Sequence, residues 1–288
     1  MAITLCGEPI TSGPMQTSPL PQFYGATDPG ASFFALMRRT SPDITPLPLV
    51  DSIPFDVAHA TTIVAIRCAT GVVMAGDRRA TAGHAIAGRR MEKVAPADEW
   101  SGVAIAGAAG MAVEMVRLFQ TQLEHYEKVQ GDALSLEGKA NQLAQMVRAN
   151  LGMAMQGFVV VPLFAGYDTR RDSGRVFTFD ATGGRYEELD YATSGSGSVH
   201  ARNWIKASWY ETISTDEAVD LAIRSLFAAA DEDAATGGPD LVRRIYPTVA
   251  VIDAKGYQAL SDDAIEERAQ ALLSGPERGA NAPGGAAK

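Results

Sequence analysis

The predicted helices of this chain come in pairs between groups of strands. Two are predicted between the strands at 101–107 and 158–168, and two more, around 198–210 and 216–231, precede a strand at 244–256. A doubly wound parallel sheet would instead alternate single helices with strands. Two antiparallel sheets packed face to face, each with a helix pair outside, fit the order because both faces of each sheet are then buried. The order therefore predicts an α+β protein built in layers.

Two adjoining strands open the predicted fold. The segments TTIVAIRC (61–68) and GVVMAG (71–76) are separated by a short turn, which predicts a hairpin. The residues from Ser214 to Glu217 match a capping box, which predicts the start of the helix over 216–231. The other predicted elements are strands at 174–180 and 190–196, a helix containing Met111, Met115, Leu118 and Phe119, a helix containing Leu143, Val147 and Leu151, and a last helix that begins after Ser261.

The first sixty residues differ in composition from the rest of the chain. Nine of the fifteen prolines lie in residues 1–60, where one short apolar run, from Ala31 to Met37, predicts a small helix in an otherwise irregular leader. We therefore predict three parts, which are a leader at 1–60, a folded domain at 61–274 and a disordered tail at 275–288.

Charge and cysteine content exclude several classes of protein. The formal net charge is −9, with 34 acidic and 25 basic residues, so no basic patch is expected for nucleic acid or anionic lipid. The two cysteines, Cys6 and Cys68, and the four scattered histidines predict neither a disulfide framework nor a metal site. No apolar run approaches the roughly 18 residues of a membrane-spanning helix. We expect a cytoplasmic globular protein that needs no metal or cofactor.

Thr61 and Thr62 lie where the leader meets the first predicted strand. Threonine is common in strands, so the pair alone is consistent with an ordinary strand start. A cut before Thr61 would instead give one residue both a hydroxyl and a free α-amino group, whose pKa of about 8 lets it accept the hydroxyl proton at neutral pH. In an uncut chain this nitrogen is an amide and cannot act as a base. The position therefore suggests a nucleophile that is activated by removal of residues 1–60.

Further polar segments and one glycine are candidates for the same site. The segment GDRRATAG contains Asp77, which would support catalysis if it lay beside a buried Lys93. For an isolated Asp and Lys sixteen positions apart, the residue types alone favour a surface position. SGSGS (194–198) and DAATGG (233–238) are either ordinary glycine-rich loops or parts of a site between elements. Gly107, at the end of a predicted strand, is either a turn glycine or a backbone N–H donor to an oxyanion.

Taken together, these elements resemble one known family. Residues 61 to about 272 are similar to the β subunits of 20S proteasomes, particularly the bacterial actinomycete type. The matching motifs occur in the family's order, as TTIVA, GVVMAGDRRATAG, Lys93, AGAAG, SGSGS and DAATGGPDLVRRIYPTVAVID. The resemblance implies the four-layer αββα fold of N-terminal-nucleophile hydrolases. It also implies a threonine endopeptidase that is made as an inactive precursor and acts in ATP-dependent protein degradation.

The resemblance also implies a role for each candidate residue. Thr61 corresponds to the nucleophile, with its own amine as the base, after autocatalytic cleavage between Ala60 and Thr61. Lys93 corresponds to the neighbouring cation and Asp77 to the carboxylate that holds it. The oxyanion donor corresponds to Gly107, and the polar cluster around the free terminus corresponds to Ser196, Asp233 and Thr236.

Two residues depart from the family's usual pattern. Thr236 stands where many members have serine, but it keeps a hydroxyl for hydrogen bonding. Ala60 stands where glycine usually precedes the cut, and its methyl group lies near the atoms that must rearrange. The second departure is a reason to expect slower processing.

The resemblance implies an apolar specificity pocket and a large assembly. The residues that correspond to substrate-binding positions are Ala80, Thr81, Met91, Ala95, Ile105 and Ala109. Because nearly all of them are apolar, we expect cleavage after hydrophobic residues. The implied partners are other β subunits and α subunits in stacked seven-membered rings, a regulatory ATPase ring, and unfolded proteins tagged by a small modifier.

Two other functions fit parts of the sequence. A two-ring bacterial threonine peptidase also begins with a Thr-Thr strand, but it lacks a long leader and differs in the turn after the Gly-Asp pair. A non-catalytic structural ring subunit would keep the fold and lose the nucleophile or the cation, whereas this chain has Thr61, Asp77 and Lys93. The sequence therefore favours the proteolytic β subunit.

Overall fold

The computed structural model describes residues 61–274. The predictions for the leader at 1–60, with its small helix and the cleavage position at Ala60, lie outside the described residues, as does the prediction for the tail at 275–288. None of the helices within the described range is long and apolar enough to cross a membrane.

The described residues form twelve strands and six helices. The strands are β1 (Thr62–Cys68), β2 (Gly71–Gly76), β3 (Ala80–Ala82), β4 (Ala85–Gly88), β5 (Val94–Asp98), β6 (Ser101–Gly107), β7 (Val160–Asp168), β8 (Ser173–Phe179), β9 (Arg185–Glu188), β10 (Tyr191–Gly195), β11 (Thr248–Asp253) and β12 (Gly256–Ala259). The helices are α1 (Ala109–Gln130), α2 (Leu136–Ala149), α3 (Leu151–Ala154), α4 (Ser198–Ser208), α5 (Thr215–Glu232) and α6 (Asp262–Leu273).

The first sheet has five antiparallel strands in the order β10-β1-β2-β11-β12. The predicted hairpin of β1 and β2 is confirmed, with Ile63 opposite Gly76. On the other side of β1, Thr62 is opposite Gly195 of β10, and Thr248 of β11 is opposite Gly76. The start of β1 and the ends of β2 and β10 therefore meet at one end of this sheet.

The second sheet is also antiparallel, in the order β5-β6-β7-β8-β9. Gly107 is the last residue of β6, where it pairs with Val160 before the chain enters α1. A separate two-stranded hairpin of β3 and β4 follows β2. Strand β6 of the second sheet thus ends two residues before α1, the first long helix.

The two sheets pack face to face between two groups of helices, and three buried clusters show the layers. The cluster between the sheets joins residues of both, including Ile63, Met74, Ala104 and Leu163. The opposite face of the first sheet packs on α4, α5 and α6, and that of the second sheet packs on α1 and α2. Alternate residues of β1 point to different clusters, as the two-residue period of a strand requires. The predicted four-layer αββα sandwich is therefore confirmed.

Helix starts follow the predicted local signals. The capping box before α5 is present, because the Ser214 hydroxyl accepts from Glu217 N at 3.3 Å and the Glu217 carboxylate accepts from Ser214 N at 3.0 Å. At α6, the Ser261 hydroxyl accepts from Ala264 N, and acidic residues occupy the first turn, where they face the positive end of the helix dipole.

Several predicted boundaries were wrong. The strand predicted at 244–256 begins only at Thr248, after Pro247, which has no N–H for the sheet. It ends at Asp253, whose carboxylate accepts from Lys255 N in a turn into β12. The helix predicted to include Leu151 ends earlier, at Ala149. Sequence analysis also missed β3, β4, β5, β9 and β12, which are short.

Candidate active site

Thr61 lies immediately before β1, at the end of the first sheet where β1, β2 and β10 meet. It is buried, with 3% of its surface exposed. Its carbonyl oxygen accepts a hydrogen bond from Ser196 N at 2.9 Å. Gly195, just before that serine, has a φ of +100°, and a Cβ there would lie 1.9 Å from the Thr61 carbonyl oxygen. The loop after β10 therefore fixes the backbone of Thr61 and requires glycine to do so.

Asp77 and Lys93 form a buried ion pair beside this strand. Asp77 follows the end of β2, and Lys93 precedes β5. Lys93 Nζ donates to Asp77 Oδ1 at 2.7 Å, and both side chains are 0% exposed. The backbone N–H of Thr62 donates to the same oxygen at 2.8 Å. The structure thus brings together two residues sixteen positions apart and connects them to the residue after Thr61.

The electrostatics of Lys93 are dominated by its burial. Burial lowers the pKa of Lys93 below its ordinary value of 10.5, and the positive charge of Arg79 acts in the same direction. The charge and hydrogen bond of Asp77 oppose this change without cancelling it. A buried ammonium group is stable only with a partner, and Asp77 supplies a buried negative charge in direct contact with this cation.

The second carboxylate oxygen of Asp77 is held by backbone amides. Asp77 Oδ2 accepts from Arg79 N at 2.9 Å and from Gly237 N at 2.8 Å. The Arg79 side chain also donates to the Ala234 carbonyl at 2.7 Å. Asp77 therefore ties β2 to the loop that follows α5. Within residues 61–274, no group of three or more His, Cys, Asp or Glu side chains is placed to hold a metal ion.

A second polar cluster is formed by Ser196, Asp233 and Thr236. Asp233 Oδ2 accepts from Ser196 Oγ and from Thr236 Oγ1, each at 2.6 Å. Burial opposes ionisation of Asp233, but these hydrogen bonds and that from Ala235 N outweigh it and lower the pKa below the ordinary value. The carboxylate is therefore ionised at neutral pH. Ser196 Oγ also lies 3.4 Å from the Thr61 carbonyl oxygen, which connects the cluster to Thr61.

Gly107 occupies a position that requires glycine. Its φ is +124°, and a Cβ there would lie 2.0 Å from the carbonyl oxygen of Val159. Two residues earlier, Ile105 N donates to the Lys93 carbonyl at 3.0 Å, so the end of β6 runs beside the segment that carries Lys93. The geometry explains the glycine by close packing, independently of any role for its N–H.

The predicted substrate-binding residues come from five parts of the chain. Thr81 and Ile105 are buried, and the other four are half-buried. Two of the six are connected to the site by backbone hydrogen bonds, Ile105 through Lys93 and Met91 through the Arg78 carbonyl at 3.1 Å. The set comprises Ala80 and Thr81 in β3, Met91 before β5, Ala95 in β5, Ile105 in β6 and Ala109 at the start of α1.

Sequence reasoning missed Thr62 and two glycines that complete the network. The Thr62 hydroxyl lies 2.6 Å from Thr236 Oγ1 and accepts from Gly197 N at 3.1 Å. Gly237 donates to Asp77, as described above. The only signal in the sequence was position, because Thr62 adjoins Thr61 and each glycine lies in a loop already identified as a candidate.

Comparison with known proteins identifies the family. A family model described as Proteasome subunit matches residues 57–242, which is more than half of the chain. The chain belongs to the proteasome subunit family. The resemblance inferred from the motifs is confirmed, and the αββα sandwich is the fold that this resemblance implied.

Relatives named Proteasome subunit beta are similar over most of their length. The protein of Acidimicrobium ferrooxidans is 58% identical over 253 residues, which cover 88% of this chain and 93% of the relative. That of Acidothermus cellulolyticus is 53% identical, with 88% of this chain and 90% of the relative covered. That of Streptomyces griseus is 52% identical, with 86% and 89% covered. Within the proteasome subunit family, the chain is thus similar to bacterial β subunits.

Proposed function

We propose that this chain is a proteolytic β subunit of a 20S proteasome core, acting as a threonine endopeptidase in ATP-dependent protein degradation. In this proposal residues 1–60 are a propeptide, which autocatalytic cleavage between Ala60 and Thr61 removes. One observation carries the proposal. Asp77 Oδ1 accepts both from Lys93 Nζ and from the amide of Thr62, so a buried cation is held next to the residue bonded to Thr61.

The processing step is an acyl transfer to the Thr61 hydroxyl. The hydroxyl oxygen attacks the Ala60 carbonyl carbon, the bond from that carbon to the Thr61 nitrogen breaks, and the nitrogen takes up the hydroxyl proton. Water then hydrolyses the resulting ester. The leader leaves as a carboxylic acid, and Thr61 keeps a hydroxyl and a free amine.

The same two groups of Thr61 then act on substrate. The amine accepts the hydroxyl proton as the oxygen attacks the scissile carbonyl, and it later gives a proton to the departing amine. Water hydrolyses the acyl-enzyme ester and regenerates Thr61. The positive charge of Lys93 favours the unprotonated amine and the developing alkoxide. We assign the backbone N–H of Gly107 to the oxyanion of the tetrahedral intermediate.

The second cluster holds the new terminus in this proposal. Ser196 N donates to the Thr61 carbonyl, and the Ser196 hydroxyl bonds to both that carbonyl and Asp233. Thr236 donates to the same carboxylate oxygen. A terminal residue has lost the restraint of a preceding peptide bond, so these contacts are needed to orient its amine and hydroxyl.

The proposal extends to specificity and assembly. The apolar residues Ala80, Met91, Ala95, Ile105 and Ala109, together with Thr81, are assigned to the pocket that binds hydrophobic side chains before the scissile bond. We further propose stacked seven-membered rings of β subunits and α subunits, a regulatory ATPase ring, cytoplasmic location, and unfolded substrates tagged by a modifier. Apolar side chains of α1 that remain exposed in the single chain support subunit contacts, namely Val113 (42%), Leu118 (50%) and Val129 (63%).

A peptidase assay tests the proposed function. Assembled wild-type protein should release the fluorophore from a peptide with Leu before the scissile bond. Thr61→Ala should abolish this activity, and Thr61→Ser should retain part of it because serine keeps the hydroxyl and the amine. The alternative is a non-catalytic structural ring subunit of the same fold, and it predicts no hydrolysis by any of the three proteins.

A further inference from the structure

Thr62, the residue after the proposed nucleophile, is held from two directions. Its N–H donates to Asp77 Oδ1 at 2.8 Å, and its carbonyl oxygen accepts from Asp77 N at 3.1 Å. Its hydroxyl lies 2.6 Å from Thr236 Oγ1 and accepts from Gly197 N at 3.1 Å. Thr62 is 0% exposed. One residue therefore links the carboxylate that holds the lysine to the loop that follows α5.

The donors and acceptors in this network can be assigned from chemistry alone. An ionised Asp233 carboxylate only accepts, so the hydroxyls of Ser196 and Thr236 both donate to it. Thr236 has one hydroxyl proton, which this bond uses, so Thr62 must donate to Thr236. Gly197 N–H in turn donates to Thr62. The bonds run in one direction, from Gly197 through Thr62 and Thr236 to Asp233, an arrangement in which each bond polarises the next.

The network is closely packed around the Thr62 hydroxyl. A Cβ on Gly197 would lie 2.4 Å from Thr62 Oγ1 and 2.7 Å from Thr236 Oγ1. No residue larger than glycine fits at that position without displacing one of the two hydroxyls. Replacing the Thr62 hydroxyl by a methyl group would likewise put carbon 2.6 Å from the Thr236 oxygen, well inside van der Waals contact.

We propose that Thr62 is a positioning residue whose side-chain hydroxyl orients Thr61 for the reaction. The inference rests on the proposed function of Thr61. Thr61 and Thr62 share a peptide bond, and Ser196 N fixes the carbonyl oxygen of that bond. A displaced Thr62 side chain would therefore turn the amine and hydroxyl of Thr61 away from the substrate carbonyl. Such a change lowers kcat and leaves substrate binding unaltered.

The test compares Thr62→Val with Thr62→Ser in the full-length, assembled protein. Intact mass counts the subunits that have lost residues 1–60, and kcat is expressed per processed subunit. Thr62→Val should lower kcat about tenfold, the effect of losing one buried hydrogen bond, with KM unchanged. Thr62→Ser keeps the hydroxyl and should restore most of kcat. Ser225→Ala is the matched control, because it deletes a buried hydroxyl that donates to Ala222 within α5, and it should keep wild-type kcat.

A double-mutant cycle tests whether Thr62 acts through Thr236, even if Thr62→Val assembles poorly. Thr62→Ala combined with Thr236→Ala should be no slower than Thr236→Ala alone, because both changes break the same chain of bonds. If the two single-variant losses of kcat multiply in the double variant, the proposal is overturned. It is also overturned if Thr62→Val has the wild-type kcat, or if Thr62→Ser is as slow as Thr62→Val. The Thr61→Ala variant distinguishes a failure of the proposed function from a failure of the inference about Thr62. Hydrolysis that survives it overturns the proposed function and this inference together, whereas hydrolysis that needs Thr61 but ignores Thr62→Val overturns only the inference.

Discussion

Replacing Asp77 by asparagine should lower both stability and activity. The buried carboxylate receives four donors at 2.7–2.9 Å, with Lys93 Nζ and Thr62 N on one oxygen and Arg79 N and Gly237 N on the other. Asparagine offers one oxygen and one NH2 group. In either orientation the NH2 group therefore faces two donors, so two hydrogen bonds are lost. Lys93 also loses the negative charge that it contacts.

The size of the effect follows from this burial. Removing one partner of a buried ion pair costs about 3–5 kcal/mol of unfolding free energy. In a domain of about 150–250 residues, each kcal/mol lowers Tm by about 2–4 °C. Asp77→Asn should therefore lower Tm by about 6–20 °C, measured by thermal unfolding with Thr61→Ala present in both proteins so that processing does not differ.

With Thr61 restored, Asp77→Asn should lower kcat/KM at least about tenfold, because Lys93 is no longer held in place. Glu124→Gln makes the same carboxylate-to-amide change in the pair with Lys128, whose side chains are 66% and 72% exposed, and it should alter neither Tm nor hydrolysis. An Asp77→Asn protein whose Tm lies within about 2 °C of its parent, or whose hydrolysis is unchanged, would refute the reasoning.

Burial lowers the pKa of Lys93 in the folded protein below the ordinary value of 10.5, which applies to the unfolded chain. At a pH between the folded and the unfolded pKa, the unfolded chain binds more protons, so the free energy of unfolding rises with pH. In denaturation at a series of pH values, the stability of wild type minus that of Lys93→Met should rise toward pH 10.5, and a fall would contradict the burial effect. Gly195→Ala should abolish hydrolysis because its Cβ would clash with the Thr61 carbonyl oxygen. Gly131→Ala is the control, since Gly131 also has a positive φ, of +75°, but a Cβ there would meet no atom, and this variant should keep its activity. Equal activities of the two variants would contradict the predicted clash at Gly195. Among fluorogenic peptides, those with Leu, Phe or Tyr before the scissile bond should be cleaved fastest, and a preference for acidic or basic residues would exclude an apolar pocket.

The layered fold was predictable because its signals are local and periodic. The apolar runs of β6 and β7 and the capping box of α5 stand out in the sequence, and the pairing of helices excluded a parallel sheet. The β3–β4 hairpin was not predicted because its strands are short and largely exposed, with no alternation of apolar and polar residues. The break at Asn150 between α2 and α3 interrupts a continuous helical pattern, so it also left no local signal.

The site was only partly predictable because its contacts join distant segments. The motifs indicated Asp77 and Lys93, but their separation of sixteen positions gave no sign of a 2.7 Å contact. The role of the Thr62 hydroxyl could not be predicted from the sequence, since threonine is common in strands for its β-branched shape alone. Its bond to Thr236, 174 positions away, exists only because β1 and the loop after α5 come together in the fold.

Intact-mass measurement of the assembled protein tests most directly whether Thr61 acts through a free amine. Wild-type β subunits should have the mass of residues 61–288, and Thr61→Ala subunits, which lack the attacking hydroxyl, should keep the mass of the full 288-residue chain. Active particles in which every copy still carries residues 1–60 would contradict the account.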